Sequence, residues 1–200
     1  MLTFNKAAHQ YFWCGEPVLN VTRIISHLVD YSRIPPAALE IARQEGMAVH
    51  RMVELDCNGE PADVPEWMKG QHEGWLRFKD ETGLECWAAE QKMYHPALAY
   101  AGTPDLIGLM PKLKTAKGAA CIDVKRSLYA GPAIGLQCSG YAEIWNKTQG
   151  KELRVVERFA LQLRPNGTYR LQPYEDRDDW IAFLACLQQI RWKEHHYGRR

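Results

Sequence analysis

The chain has 200 residues, 46% hydrophobic and 24% charged, with 25 lysines and arginines against 24 aspartates and glutamates. That length buries a substantial core in one domain spanning residues 1–200, and the composition is that of an ordinary soluble globular protein. A formal net charge of +1 excludes a whole-molecule basic field, so contact with nucleic acid has to come from local groups of cations.

Residues 1–16 are aromatic and irregular, with Phe4, Tyr11, Phe12 and Trp13, and read as a short hairpin packed on the core. Asn20-Val21-Thr22 then marks a helix start, followed by the apolar stripe Ile24, Ile25 and Leu28. Pro35-Pro36 opens the next helix, because proline is tolerated in a first turn. It runs from 36 to about 57 and places His50 and Glu54 one turn apart on a single face. A lone helical histidine is more often a surface or satisfied core residue than a ligand, and a His/Glu pair at this spacing is often only a hydrogen-bonded couple. A polar loop over 58–65 leads to a helix over 66–82, whose Trp67, Trp75 and Phe78 read as core rather than as base-stacking platforms. Gly83 is placed to end it.

From Leu84 the hydrophobic period falls to two. Strands over 84–94 and 100–110, turned at His95-Pro96, form an antiparallel hairpin carrying Glu90 on its first arm and Asp105 on its second. A third strand over 119–125 sends Ile122 and Val124 into the core. Asp123 and Lys125 project to the other side, about 7 Å apart along the strand. Gly131-Pro132 precedes a helix over 133–147 with Ile134, Gln137, Cys138, Tyr141, Ile144 and Trp145 on one face. Segments 153–163 and 168–174 make a closing hairpin about Asn166-Gly167. Asp176 to Asp179 cap a last helix whose buried side is Trp180, Phe183, Leu184, Leu187 and Ile190, and the basic segment 191–200 frays.

Cys14, Cys57, Cys86, Cys121, Cys138 and Cys186 include no C-x-x-C pair, which argues against a zinc ribbon. Their scatter through apolar segments, a start without a basic-then-apolar leader and the lack of a membrane-length apolar run predict a reduced, cytoplasmic setting without membrane association. Candidate phosphate contacts are Lys112, Lys114 and Lys117 between the two acidic motifs, Arg126 beside the lysine, and Arg191, Lys193, Arg199 and Arg200 in the tail. Each is otherwise a solvated surface charge.

Magnesium takes oxygen ligands, often only one or two of them protein carboxylates, and leaves its other positions to water and substrate phosphate. Asp105 and Asp123 suit that role, with Lys125 placed to orient a nucleophile or stabilise charge on a phosphate in transfer. A D-x-K tripeptide alone is ordinarily an exposed strand end, and a Pro-Asp pair a turn. The conjunction between Glu90 and Tyr141 is what carries weight.

That conjunction, Pro104-Asp105, then Asp123-Val124-Lys125, then Gln137 and Tyr141 as a QxxxY pair, with His50 upstream, resembles the PD-(D/E)XK nuclease superfamily. Within it the chain is most similar to the RecB-like branch and to the phage exonucleases related to lambda exonuclease. The likeness extends through Val21-Thr22-Arg23-Ile24-Ile25, Ile34-Pro35-Pro36-Ala37-Ala38-Leu39 and Gly46-Met47-Ala48-Val49-His50, covering residues 21 to 145. It implies an α/β fold with a restriction-endonuclease-like core, a mixed central β-sheet flanked by helices and a helical N-terminal region. It also implies a Mg2+- or Mn2+-dependent deoxyribonuclease, an exonuclease that processes double-stranded DNA ends in recombination or repair. Asp105, Asp123, Lys125 and Glu90 would then be catalytic, and His50, Asp105 and Asp123 would hold the metal.

Gln137 would reach the site or the DNA backbone with Tyr141 supporting it, and Glu54 would touch metal, water or another ligand. Arg126 and Ser127 stand where phage enzymes more often have threonine and glycine, and bear on backbone grip. Without cysteines spaced near both ends, no iron–sulphur cluster is expected. The implied partners are DNA and a single-strand annealing protein, in the host cytoplasm if the chain is phage-encoded. Two rivals share these residues: a structure-specific endonuclease on the same fold, and a DNA-end binding protein without turnover.

Overall fold

The computed structural model describes residues 1–126 and 131–198. Ser127 therefore lies outside the described residues, as do Arg199 and Arg200. The chain opens with three strands, β1 (Leu2–Asn5), β2 (Gln10–Trp13) and β3 (Glu16–Asn20). The helical part of the N-terminal region thus begins only at Val21. There Asn20 caps α1 (Val21–Ile24), its side-chain oxygen accepting from the Arg23 N–H at 2.9 Å, as capping asparagines do. After α2 (Pro36–Cys57), entered through proline, a short 3-10 turn leads into α3 (Lys69–Thr82). Gly83 ends α3 at φ +65°, a left-handed conformation that glycine adopts without a Cβ clash.

The strands expected over 84–94 and 100–110 do pair antiparallel, but each is broken once. The first becomes β4 (Glu85–Ala89) and β5 (Met93–His95), the second β6 (Tyr100–Gly102) and β7 (Leu106–Leu109). The outer halves pair as β5·β6 and the inner halves as β4·β7. Both breaks have local causes. Glu90 turns the first strand at φ +48°, and Pro104 in the second has no N–H for a ladder. The halves consequently join different five-stranded sheets, β1-β2-β3-β6-β5 and β10-β9-β8-β7-β4.

In the second sheet β8 (Ala119–Lys125) lies between β7, antiparallel, and β9 (Val155–Leu163), parallel. β10 (Tyr169–Pro173) closes it as the hairpin partner of β9. The period-two pattern of β8 separates two cores. Ala120, Ile122 and Val124 pack with Val49, Met52 and Val53 of α2 and Trp75 and Phe78 of α3. Cys121 packs with Tyr141, Ile144 and Trp145 of α4 (Ala133–Thr148), Phe183 and Leu187 of α5 (Asp179–Tyr197), and Leu19 and Tyr100 of the first sheet. The result is mixed α/β, two mixed sheets flanked by helices.

α5 continues to Tyr197, past the point at which fraying is expected from its basic composition. Its last turns are tied down: Glu194 pairs with Arg23 at 2.9 Å, and Arg191 donates to the Leu98 carbonyl. Among the described residues no helix is long and apolar enough to cross a membrane.

Candidate metal centre

The site exists because β7 and β8 part company. Their pairing runs from Gly108↔Ala120 to Leu106↔Ile122, whereas β8 stays paired with β9 as far as Lys125↔Gln162. Beyond Ile122 the N–H and C=O of Val124 on the vacated side need other partners. The Asp105 carboxylate accepts the N–H through Oδ2 at 2.7 Å, and His50 Nε2 lies 2.8 Å from the C=O. Two side chains from different elements thus complete the strand where its neighbour leaves.

Their remaining polar atoms converge. His50 Nδ1 is 3.4 Å from Glu90 Oε1 and 3.5 Å from Asp105 Oδ1, and ligand atoms of the three residues lie within 4.8 Å of one another. The His50 Nε2–H donates to Val124, so in the neutral ring Nδ1 carries the lone pair and faces both carboxylates. A metal-ligating histidine is ordinarily oriented in this way, by a hydrogen bond from its other nitrogen to a backbone carbonyl. Glu90 is brought in by its left-handed backbone, a conformation that costs about 1–2 kcal/mol for a residue with a Cβ, and its N–H donates to the Asp105 carbonyl at 3.2 Å. Burial opposes a charge on the ring, but the Asp105 and Glu90 carboxylates outweigh it and hold His50 up to about 9. The donor set, two carboxylates and one imidazole, fits a hard to borderline divalent cation such as Mg2+ or Mn2+.

Asp123 lies beside this cluster rather than in it. It is 2% exposed, with Oδ2 at 2.8 Å from Lys125 Nζ and Oδ1 accepting from Gln137 Nε2 at 3.0 Å. Gln137 also donates to Tyr141 Oη at 3.4 Å, so the glutamine and tyrosine of α4 brace the carboxylate of β8. Burial pushes Asp123 up, against the lowering effect of Lys125. Burial also opposes the charge on Lys125, but Asp123 and Asp105 outweigh it and keep the ammonium charged.

Other expected contacts are occupied internally. Glu54 pairs with Arg51 at 2.7 Å, and Arg126 pairs with Glu45. Lys112 donates to the Asp80 carbonyl at 2.9 Å, and Lys117 pairs with Glu175 at 3.0 Å. Lys114 and Lys193 are exposed. Trp75 and Phe78 are in the core, but Trp67 is 44% exposed.

Two residues of the site are not signalled by their sequence context. The Tyr11 hydroxyl is 2.6 Å from Thr103 Oγ1, and burial, with a contribution from Glu90, pushes its pKa up. Only its place in an aromatic stretch marks it in the sequence. Gly102 lies against Tyr141: a Cβ there would be 2.5 Å from Tyr141 Cε1 and 3.0 Å from Val21 Cγ2. The glycine of the Tyr100-to-Asp105 corner is thus a clearance for the tyrosine that supports Gln137.

No family model matches the sequence, and no curated protein does. Solved structures with a similar chain path include LHK-Exo in complex with dAMP, 14% identical, covering 90% of this chain and 93% of that one at a TM-score of 0.43. Another is the alkaline exonuclease LHK-Exo from Laribacter hongkongensis, 13% identical over the same shares at a TM-score of 0.41.

Proposed function

We propose that the protein is a divalent-cation-dependent deoxyribonuclease, carried by one domain over residues 1–200. The observation that supports this best is the convergence of His50, Glu90 and Asp105 on one point, next to a buried Asp123–Lys125 pair. His50 through Nδ1, with Glu90 and Asp105, would hold the cation, and Asp123 faces the same region from β8. A cation bound there supplies Lewis acidity, polarising a phosphoryl oxygen and lowering the pKa of water.

The chain's own groups do the rest. Gln137 and Tyr141 fix the Asp123 carboxylate, Asp123 fixes the Lys125 ammonium, and that ammonium is a preorganised positive charge where negative charge grows on a phosphate. Such an ammonium needs no reorganisation when the substrate arrives. Arg126, paired with Glu45 through one guanidinium nitrogen, keeps other N–H donors for a DNA backbone. Specificity for Mg2+ or Mn2+, exonucleolytic action on double-stranded ends, a phage recombination role and pairing with a single-strand annealing protein follow from the sequence resemblance alone.

The test is incubation of linear and covalently closed circular DNA with the protein and Mg2+ or Mn2+. Chelator and the Asp123→Ala and Lys125→Ala variants are the controls. Loss of linear DNA only, abolished by chelator and by both substitutions, is the expected result. Cleavage surviving in Asp123→Ala would discard the mechanism, and cutting of closed circles would make the enzyme an endonuclease.

A further inference from the structure

The two strands that bring Glu90 and Asp105 into the site also build an aromatic surface beside it. In the first sheet the register pairs Phe4 with Tyr11, Leu2 with Trp13, Tyr11 with Val18, Asn20 with Ala101, and Tyr94 with Ala101. Residues opposite one another share a face and alternate residues return to it. Phe4, Tyr11, Trp13 and Tyr94 therefore lie on one side, together with Thr103, which the Tyr11 hydroxyl contacts. The opposite side, with Leu19, Met93 and Tyr100, is buried in the core.

The aromatic side is curled. Trp13 and Tyr94 belong to strands separated by β3 and β6, about 14 Å apart in a flat sheet, yet their rings stack at 4.1 Å and 5°. The stack is open to solvent: Trp13 is 38% exposed, and Phe4 and Tyr94 are half-buried. Lys92 lies between Glu90 and Tyr94 in sequence, with its ammonium 5.8 Å from the Phe4 ring. It makes no ion pair among the described residues, unlike Lys112, Lys117 and Arg126.

Resting on the hydrolase reading above, we infer that this face receives an unpaired strand of the nucleic-acid substrate, with bases stacked on the Trp13–Tyr94 pair and Lys92 meeting a phosphate. Three features select that occupant over a protein segment. The rings present π-faces to which any base adds, the accompanying charge is an ammonium without an ion pair among the described residues, and the strand that carries Tyr94 follows Glu90 directly in the chain. Tyr94 is four residues from Glu90, at most about 13 Å along a strand. That separation corresponds to no more than about four nucleotides at stacked spacing, so bases held on the pair would lie within a few nucleotides of the bond being cut.

The experiment is fluorescence anisotropy of a labelled oligothymidylate and of a blunt duplex, in chelator so that binding is read without cleavage. Trp13→Leu, Tyr94→Leu and Lys92→Ala are compared with wild type and with Trp13→Phe. Stacking of one base is worth about fivefold to a hundredfold in affinity. Either leucine variant should therefore weaken oligothymidylate binding at least about fivefold, and more than duplex binding, while Trp13→Phe retains most of it. Manganese affinity, measured separately, reports the cation cluster. If oligothymidylate binding falls as expected but no DNA is hydrolysed, the strand-binding face stands and the hydrolase reading falls. No oligothymidylate binding by the wild type, or equal binding by both leucine variants, overturns the inference.

Discussion

His50 Nε2 lies 2.8 Å from the Val124 carbonyl, so a helix on one side of the sheet completes the hydrogen bonding of a strand whose neighbour has turned away. The same bond leaves Nδ1 facing Glu90 and Asp105, and structural and cation-binding roles meet in one ring.

In the metal-free protein His50 titrates at about 9 when folded, against about 6.5 when unfolded. A folded-state pKa above the unfolded one means that the stabilisation is complete below the unfolded value and is lost as pH rises to the folded one. Thermal denaturation in chelator should therefore show stability falling between about pH 6.5 and 9, a dependence that His50→Gln flattens. Because a cation displaces that proton, manganese affinity should rise across the same interval. An affinity that is flat with pH would remove His50 from the ligand set.

Asp105 has two duties that substitution separates. Asp105→Asn keeps an oxygen for the Val124 N–H but loses a charged ligand, so the fold should persist while manganese affinity falls at least about tenfold. Asp105→Ala also leaves the N–H unpaired and should cost about 1–3 kcal/mol of stability. Urea denaturation and manganese titration of both variants read the two effects.

Lys125→Met leaves Asp123 buried without its cation and should destabilise by about 3–5 kcal/mol at neutral pH. The loss should shrink at acid pH as Asp123, already pushed up by burial, takes a proton. Asp123→Asn with Lys125→Met should recover much of it, because no lone charge remains. Denaturation curves of the single and double variants at two pH values measure the coupling.

Gly102→Ala places a Cβ 2.5 Å from the Tyr141 ring and should destabilise by about 1–3 kcal/mol, the usual range for overpacking. Combined with Tyr141→Leu, which makes room, the alanine should cost less than it does alone, so the two effects are non-additive in a double-mutant cycle.

Much of the geometry was legible in local chemistry. Period-two alternation put Asp123 and Lys125 on one side of β8, Pro36 and Gly83 marked helix ends, and Asn166-Gly167 marked the last hairpin. The break of one expected hairpin into two sheets was not legible, because the apolar pattern runs on through it. The residue that turns the first arm is a glutamate at φ +48°, where glycine or asparagine is the usual signal. Nor does sequence show that Asp123 is taken up by Lys125 and Gln137 while Glu90 joins His50 and Asp105. That partition depends on where β7 leaves β8. The aromatic face was invisible for a similar reason: Trp13 and Tyr94 meet only because the first sheet curls.

Anomalous scattering from a manganese-soaked crystal shows whether one cation sits among His50, Glu90 and Asp105. An anomalous peak bonded to His50 Nδ1 and to oxygens of Glu90 and Asp105, lost in Asp105→Asn, is the expected result. A peak elsewhere, or none at manganese concentrations that support DNA cleavage, would contradict it.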